Sequence, residues 1–130
     1  MRIHATTQPS HKDEKIVTVI RKLVSKEKPE ELSDEECNRA SDLVQQLVVI
    51  LVGARTTGSI FLFTHVRTME VLQSVREMYD SGPLTDIVRD LFRCLAKDET
   101  LTVELDISAI TFKQCESGFA NDGKLYCYFV

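Results

Sequence analysis

Apolar residues recur every three to four positions along much of the first hundred residues, the spacing of one buried helix face. This pattern predicts four helices, over residues 12–26, 33–53, 66–79 and 84–95. Ser33 and Glu36 have the spacing of a capping box, which makes the start of the second helix the sharpest local signal. The Ser81-Gly82-Pro83 segment predicts the break between the third and fourth helices.

The second half of the second predicted helix has no polar face. Val48, Val49 and Ile50 are β-branched, so a strand is the alternative for residues 44–52. We favour the helix because its apolar spacing continues to Leu51. The run 60–63 is entirely apolar and is consistent with a short buried strand or a buried helix entry.

The hydrophobic period changes to two beyond Glu99, where Leu101–Ile107 alternates with polar residues and predicts a strand with one buried face. The parity then flips at Ile110 and Phe112, as a β-bulge or a strand break would produce. Residues 121–123 are a turn signal, and residues 125–130 resemble a strand. A small C-terminal sheet follows from these patterns.

Together these segments predict an α+β fold, with about four N-terminal and central helices packed with a small, mainly antiparallel C-terminal sheet. The length of 130 residues suits a single globular domain over residues 1–130. Residues 1–10 are mostly polar and lack a clear period, so we expect a flexible arm there.

Composition narrows the function classes. With 43% hydrophobic and 28% charged residues, the chain is expected to fold rather than stay disordered. The formal net charge of -4 argues against nucleic acid as a partner. The longest apolar run, 47–52, is too short to cross a bilayer, and residues 1–15 lack the apolar core of a signal peptide. We therefore predict an intracellular protein of the cytoplasm or nucleus, with four scattered cysteines that remain free thiols.

The chemistry-bearing motifs are weak. Gly53–Gly58 has the glycine spacing of a phosphate-binding loop, but Ser59 follows where the loop requires lysine, so the segment is interpreted as a connecting turn. The cysteines and histidines lack the short paired spacings of metal ligands, and His65 is interpreted as structural. We predict no cofactor and no metal.

The leading hypothesis is therefore a protein-protein interaction domain, acting as an adaptor, a regulator or an oligomer-forming subunit. The partner is another protein or a second copy of the chain. The first alternative is a small hydrolase or thiol-dependent enzyme, using His65 with Cys94, Cys115 or Cys127.

The second alternative is a nucleic-acid-binding module that uses a basic stripe on the fourth helix, formed by Arg89, Arg93 and Lys97. Asp86 and Asp90 share the same helix turns. A solvent-exposed face with internal ion pairs is the preferred interpretation of this stripe.

The candidate contact surface lies in the predicted C-terminal sheet, where both parities of the last strand are apolar. Burial on both faces explains this pattern, and so does an exposed tyrosine face that binds a partner. In the second case the partner-binding residues are Tyr126, Tyr128 and Val130, joined by Ile110 and Phe112.

Overall fold

The computed structural model describes the backbone of residues 1–122 and the side chains of residues 1–119. Within this part of the chain the elements are β1 (Arg2–Gln8), α1 (Asp13–Val24), α2 (Asp34–Gln46), β2 (Ile50–Thr56), β3 (Ile60–His65), α3 (Met69–Ser81), α4 (Pro83–Ala96), β4 (Thr102–Asp106) and α5 (Ala109–Asp122). A 3-10 turn at Ser10–Lys12 leads into α1. The predicted α+β class is confirmed.

The four strands form one antiparallel sheet in the order β2-β3-β1-β4. This order arises when two β-α-β crossovers interleave, as in the split β-α-β motif, and here each crossover contains two helices. The first crossover runs from β1 to β2, and the second from β3 to β4. The sheet therefore draws strands from the whole described chain, whereas we had expected it mainly in the C-terminal third.

The first strand lies inside the sheet, between β3 and β4. The expectation of a flexible arm over residues 1–10 is therefore wrong. Ile3, Ala5 and Thr7 are buried and alternate with more exposed neighbours, the pattern of a strand with one covered face. The signal was faint because two of the three buried residues are small or polar.

One apolar layer joins the helices to the sheet. Helices α1 and α4 contact the sheet and each other, α2 and α3 pack against α4, and α5 packs against α3. The fully buried side chains of this layer include Ile16, Val19 and Ile20 of α1, Leu84, Leu91, Phe92 and Leu95 of α4, and Ile3, Ile60 and Leu62 of the sheet. Strand side chains alternate between the two faces of a sheet. Every second residue of each strand therefore points away from the helices.

The capping box at the start of α2 is confirmed. The Ser33 hydroxyl accepts from the Glu36 amide at 3.2 Å, and the Glu36 carboxylate accepts from the Ser33 amide at 2.8 Å. The predicted continuation to Gly53 is wrong, because α2 ends at Gln46 and β2 begins at Ile50. The strand alternative for residues 44–52 holds only from Ile50 onward, because residues 44–46 are helical and residues 47–49 bend between α2 and β2.

The break between the third and fourth helices falls where the sequence predicted it. Gly82 adopts φ 108°, which costs glycine little, and closes α3. Pro83 is the first residue of α4, a position where its missing amide hydrogen needs no partner.

The last described element is a helix where a second strand was expected. The Ser108 hydroxyl accepts from the Thr111 amide at 3.2 Å and begins α5. Phe112 and Cys115 are buried three positions apart on one helix face, so the parity flip near Ile110 reflects a helical period and not a β-bulge. The predicted turn at 121–123 overlaps the end of this helix.

Candidate functional site

The sheet face turned away from the helices carries the candidate site. Its residues, which we call the open face, are each at least partly exposed: Arg2, His4, Thr6 and Gln8 of β1, Ile50 and Arg55 of β2, Phe61, Phe63 and His65 of β3, and Thr102, Glu104 and Asp106 of β4. A sheet covered on one side usually presents polar residues on the other. Two phenylalanines on this face depart from that rule.

We define the aromatic patch as Phe61, Phe63, His4, Arg2 and Arg55. The His4 ring stacks on Phe61 with centroids 4.8 Å apart and planes 13° from parallel. The guanidinium of Arg2 lies 5.4 Å from the Phe61 centroid, and that of Arg55 lies 5.9 Å from Phe61 and 5.6 Å from Phe63. These distances are within the range of cation-π attraction, which positions the two cations over the rings.

Strand pairing places the patch within a row that crosses the whole sheet. Arg55 pairs with Phe61, Phe61 with His4, and His4 with Asp106. Glu104 lies two residues from Asp106 on the same face of β4. This row therefore begins with one cation on β2 and ends beside the acidic residues of β4, with aromatic rings between them.

The free edge of β2 is a second exposed region. Val48, Ile50 and Val52 are between 37% and 43% exposed, unusual for large apolar side chains. A β-bulge interrupts the strand at Val52, and the Arg21 guanidinium donates to the Ala54 carbonyl at 3.0 Å. Bulges and charged side chains make an edge a poorer template for an added strand.

The basic stripe predicted on the fourth helix is occupied by contacts within the chain. Arg89 pairs with Asp86 at 3.0 Å and with Asp90 at 3.3 Å, which confirms the internal ion pairs. Arg93 donates to a backbone carbonyl at 2.8 Å, and Lys97 pairs with a glutamate of α2 at 3.3 Å. These cations therefore do not form a continuous surface for phosphates.

A cleft of about 710 Å³ lies between α2 and α4. Three cations and three acidic residues line it together with Cys94: Glu36, Arg39, Asp90, Arg93, Lys97 and Glu99. Because the two signs balance, the cleft has no net attraction for an anion or a cation.

The thiols considered for catalysis are not arranged for it. The Cys94 thiol donates to the Glu36 carbonyl at 3.6 Å, and desolvation raises its pKa, which disfavours the nucleophilic thiolate. Cys115 is disulfide-bonded, so the expectation of four free thiols is wrong. His65 lies on β3 while Cys94 lies on α4, on the helical side of the sheet. Cys127 lies outside the described residues.

The partner-binding residues predicted from the sequence are only partly placed. Ile110 is 68% exposed on α5, whereas Phe112 is 4% exposed and packs against Tyr79 with ring centroids 6.3 Å apart. They therefore do not form one exposed apolar face. Tyr126, Tyr128 and Val130 lie outside the described residues.

The structure also places the glycine-spaced segment and the candidate metal ligands. Residues 53–56 are the end of β2 and only residues 57–58 lie in the turn into β3, so the predicted connecting turn is shorter than expected; the segment joins two strands, whereas a phosphate-binding loop joins a strand to a helix. Over the described residues, no three histidine, cysteine, aspartate or glutamate side chains are grouped as metal ligands. Nor does any helix of that part have the length and apolar character needed to span a membrane.

Comparison with known proteins finds no matching family, no matching curated protein and no matching solved structure.

The aromatic patch was missed from the sequence because β3 is apolar on both parities and β1 was interpreted as an arm. The available signal was the alternation of Arg2 and His4 with Ile3 and Ala5, which indicates a strand whose outer face is polar and partly aromatic.

Proposed function

We propose that this chain is a non-enzymatic protein-interaction domain, of the adaptor or regulatory kind, that binds its partner through the aromatic patch. The observation that supports this most directly is the placement of Phe61 and Phe63 on the open face beneath Arg2 and Arg55. Aromatic residues and arginine are the residue types enriched at the centres of protein interfaces.

Partly exposed aromatic rings on a sheet have an energetic cost that a partner removes. Each phenylalanine leaves part of its ring in water, where burial would gain roughly 25 cal/mol per Å² of apolar surface. The neighbouring arginines retain free donors above the rings, since a guanidinium carries five N–H groups. A carboxylate can accept two of these donors while the cation remains over the ring.

The partner chemistry follows from this arrangement. We expect a protein surface that presents an acidic side chain to Arg2 or Arg55, beside an apolar, aromatic or guanidinium side chain that covers Phe61 or Phe63. Single-stranded nucleic acid also stacks on aromatic sheets, but it needs a basic groove along its backbone. Glu104 and Asp106 lie on the same open face, and the net charge is -4, so a protein suits the surface better.

The test compares variants of the patch with matched variants elsewhere. The chain captures proteins from a nuclease-treated extract of its source cell, and the captured protein is then identified, purified and titrated by calorimetry. We expect Phe63→Ser and Arg55→Glu each to weaken binding at least about tenfold, or about 1.4 kcal/mol. Ile110→Ser and Lys113→Glu make equivalent changes on α5 and should alter the affinity by less than about twofold.

Three results would contradict the proposal. The first is a partner whose affinity is insensitive to both patch variants but falls with Ile110→Ser, which would move the site to α5. The second is saturable binding of a 20-nucleotide oligothymidylate that the patch variants abolish, which would assign the surface to nucleic acid. The third is the absence both of any captured protein that binds when purified and of self-association of the purified chain. Urea unfolding of each variant confirms that the fold is retained.

A further inference from the structure

We propose that the partner of the open face is a second copy of this chain, bound face to face about a two-fold axis parallel to the strands. This inference rests on the proposed function and names the partner. It follows from the order of charges and rings along the rows of the sheet.

The two-fold axis determines which strands meet. When two copies of the sheet face each other about an axis parallel to the strands, the strand order of one copy runs opposite to that of the other. Residues at the same height along the strands remain opposite each other. β2 of one protomer then lies over β4 of its partner, and β3 lies over β1. Such an interface is isologous, so each contact occurs twice.

The first row of the sheet is self-complementary under this operation. It contains Arg55, Phe61, His4 and Asp106, in order from β2 to β4. Arg55 therefore faces the partner's Asp106, and Phe61 faces the partner's His4. The dimer contains two copies of each contact, one pairing opposite charges and the other pairing two rings.

The next row agrees with the first. Arg2 pairs with Phe63 across β1 and β3, so the guanidinium of Arg2 faces the partner's Phe63. Cation-π attraction to an arginine then acts both within the protomer and across the interface. By contrast, an axis in the sheet plane but perpendicular to the strands places β2 over the partner's β2. That arrangement brings Arg55 close to the partner's Arg55, a like-charge contact that disfavours it.

The area of the open face limits the affinity of the dimer. Four strands about 4.8 Å apart and about six residues long at 3.3 Å each cover on the order of 400 Å² per protomer. This is about half of a standard interface, so the dimer should be weak, with a Kd in the micromolar range or above.

The test uses sedimentation equilibrium of the chain over roughly 1 μM to 1 mM, the range expected for a weak interface. We expect a monomer-dimer equilibrium that Arg55→Asp weakens at least about tenfold, because two ion pairs become two like-charge contacts. Asp106→Arg should weaken it similarly. Lys113→Asp changes the net charge as Arg55→Asp does, but on α5, and should leave the dimer unchanged.

Mixing the two single variants separates an interface effect from a folding defect. In the mixed dimer, the aspartate introduced on β2 of one chain faces the arginine introduced on β4 of the other. The unchanged Arg55 of the second chain faces the unchanged Asp106 of the first, so both opposite-charge pairs return. We expect the mixed dimer to recover at least the wild-type affinity, and the double variant Arg55→Asp with Asp106→Arg to dimerise with itself. A misfolded variant would not be rescued by mixing.

The inference is overturned if the chain is monomeric over the whole range, if the single variants leave dimerisation unchanged, or if mixing fails to restore it. A dimer that is lost only with Val52→Lys would assign self-association to the edge of β2. If the chain is monomeric but a purified partner is still lost with Phe63→Ser, the proposed function stands and only the identity of the partner is wrong.

Discussion

Replacing Ser33 by alanine tests how far α2 depends on its capping box. The substitution removes the hydroxyl that accepts from the Glu36 amide at 3.2 Å and leaves that amide without its cap. Loss of such a cap typically costs about 1 kcal/mol. For a domain of this length, about 1 kcal/mol lowers Tm by about 4 °C. Urea unfolding at pH 7 measures the loss directly.

The matched control is Ser41→Ala, the same change at an exposed position inside the same helix. Alanine is the better helix former there, so this variant should be slightly more stable, by up to about 0.5 kcal/mol. We therefore expect the same serine-to-alanine change to lower the free energy of unfolding at position 33 and to raise it slightly at position 41. Equal effects of the two variants would refute the reasoning.

The capping box also makes stability depend on pH. The hydrogen bond from the Ser33 amide, assisted by Lys97 at 3.3 Å, lowers the pKa of Glu36 below its ordinary value of 4.5. Since the folded pKa is lower than the unfolded one, the charged Glu36 stabilises the fold above pH 4.5. That contribution is lost as the pH falls through the folded pKa. The free energy of unfolding of Glu36→Gln should therefore fall less than that of the wild type as the pH is lowered from 5 through the folded pKa. An equal fall in both proteins would contradict the stabilising role of the charged Glu36.

Two further predictions concern the core and the thiols. Phe92 is fully buried, so Phe92→Ala should cost about 3–5 kcal/mol in urea unfolding, while the partly exposed Phe61→Ala should cost less than half as much; equal losses would show that Phe61 is a core residue. Alkylation of the denatured, unreduced chain should modify Cys37 and Cys94 but reach Cys115 only after reduction, as followed by peptide mass; labelling of Cys115 without reductant would contradict its disulfide.

The helices α1 to α4 were predictable because each carries a local signal. The apolar stripe of α4, the capping box of Ser33 and the break at Pro83 depend on residues within one or two turns of each other. One error fell where two local signals competed. Residues 48–50 combined helical spacing with β-branched side chains, but residues 47–49 form a bend, and the strand begins at Ile50, which pairs with His65 of β3.

The candidate site was not predictable in this way, because its geometry depends on strand register. Arg55 and Phe61 pair within the local hairpin of β2 and β3, but His4 and Asp106 are far apart in sequence and join the row only when β1 is inserted between β3 and β4. If the pairing of any strand shifted by one residue, the side chain that this strand places in the row would point toward the helices. The buried layer of Ile3, Ile60 and Leu62 prevents such a shift, since moving it would expose apolar surface. The same core that stabilises the fold therefore also fixes the order of charges and rings on the open face.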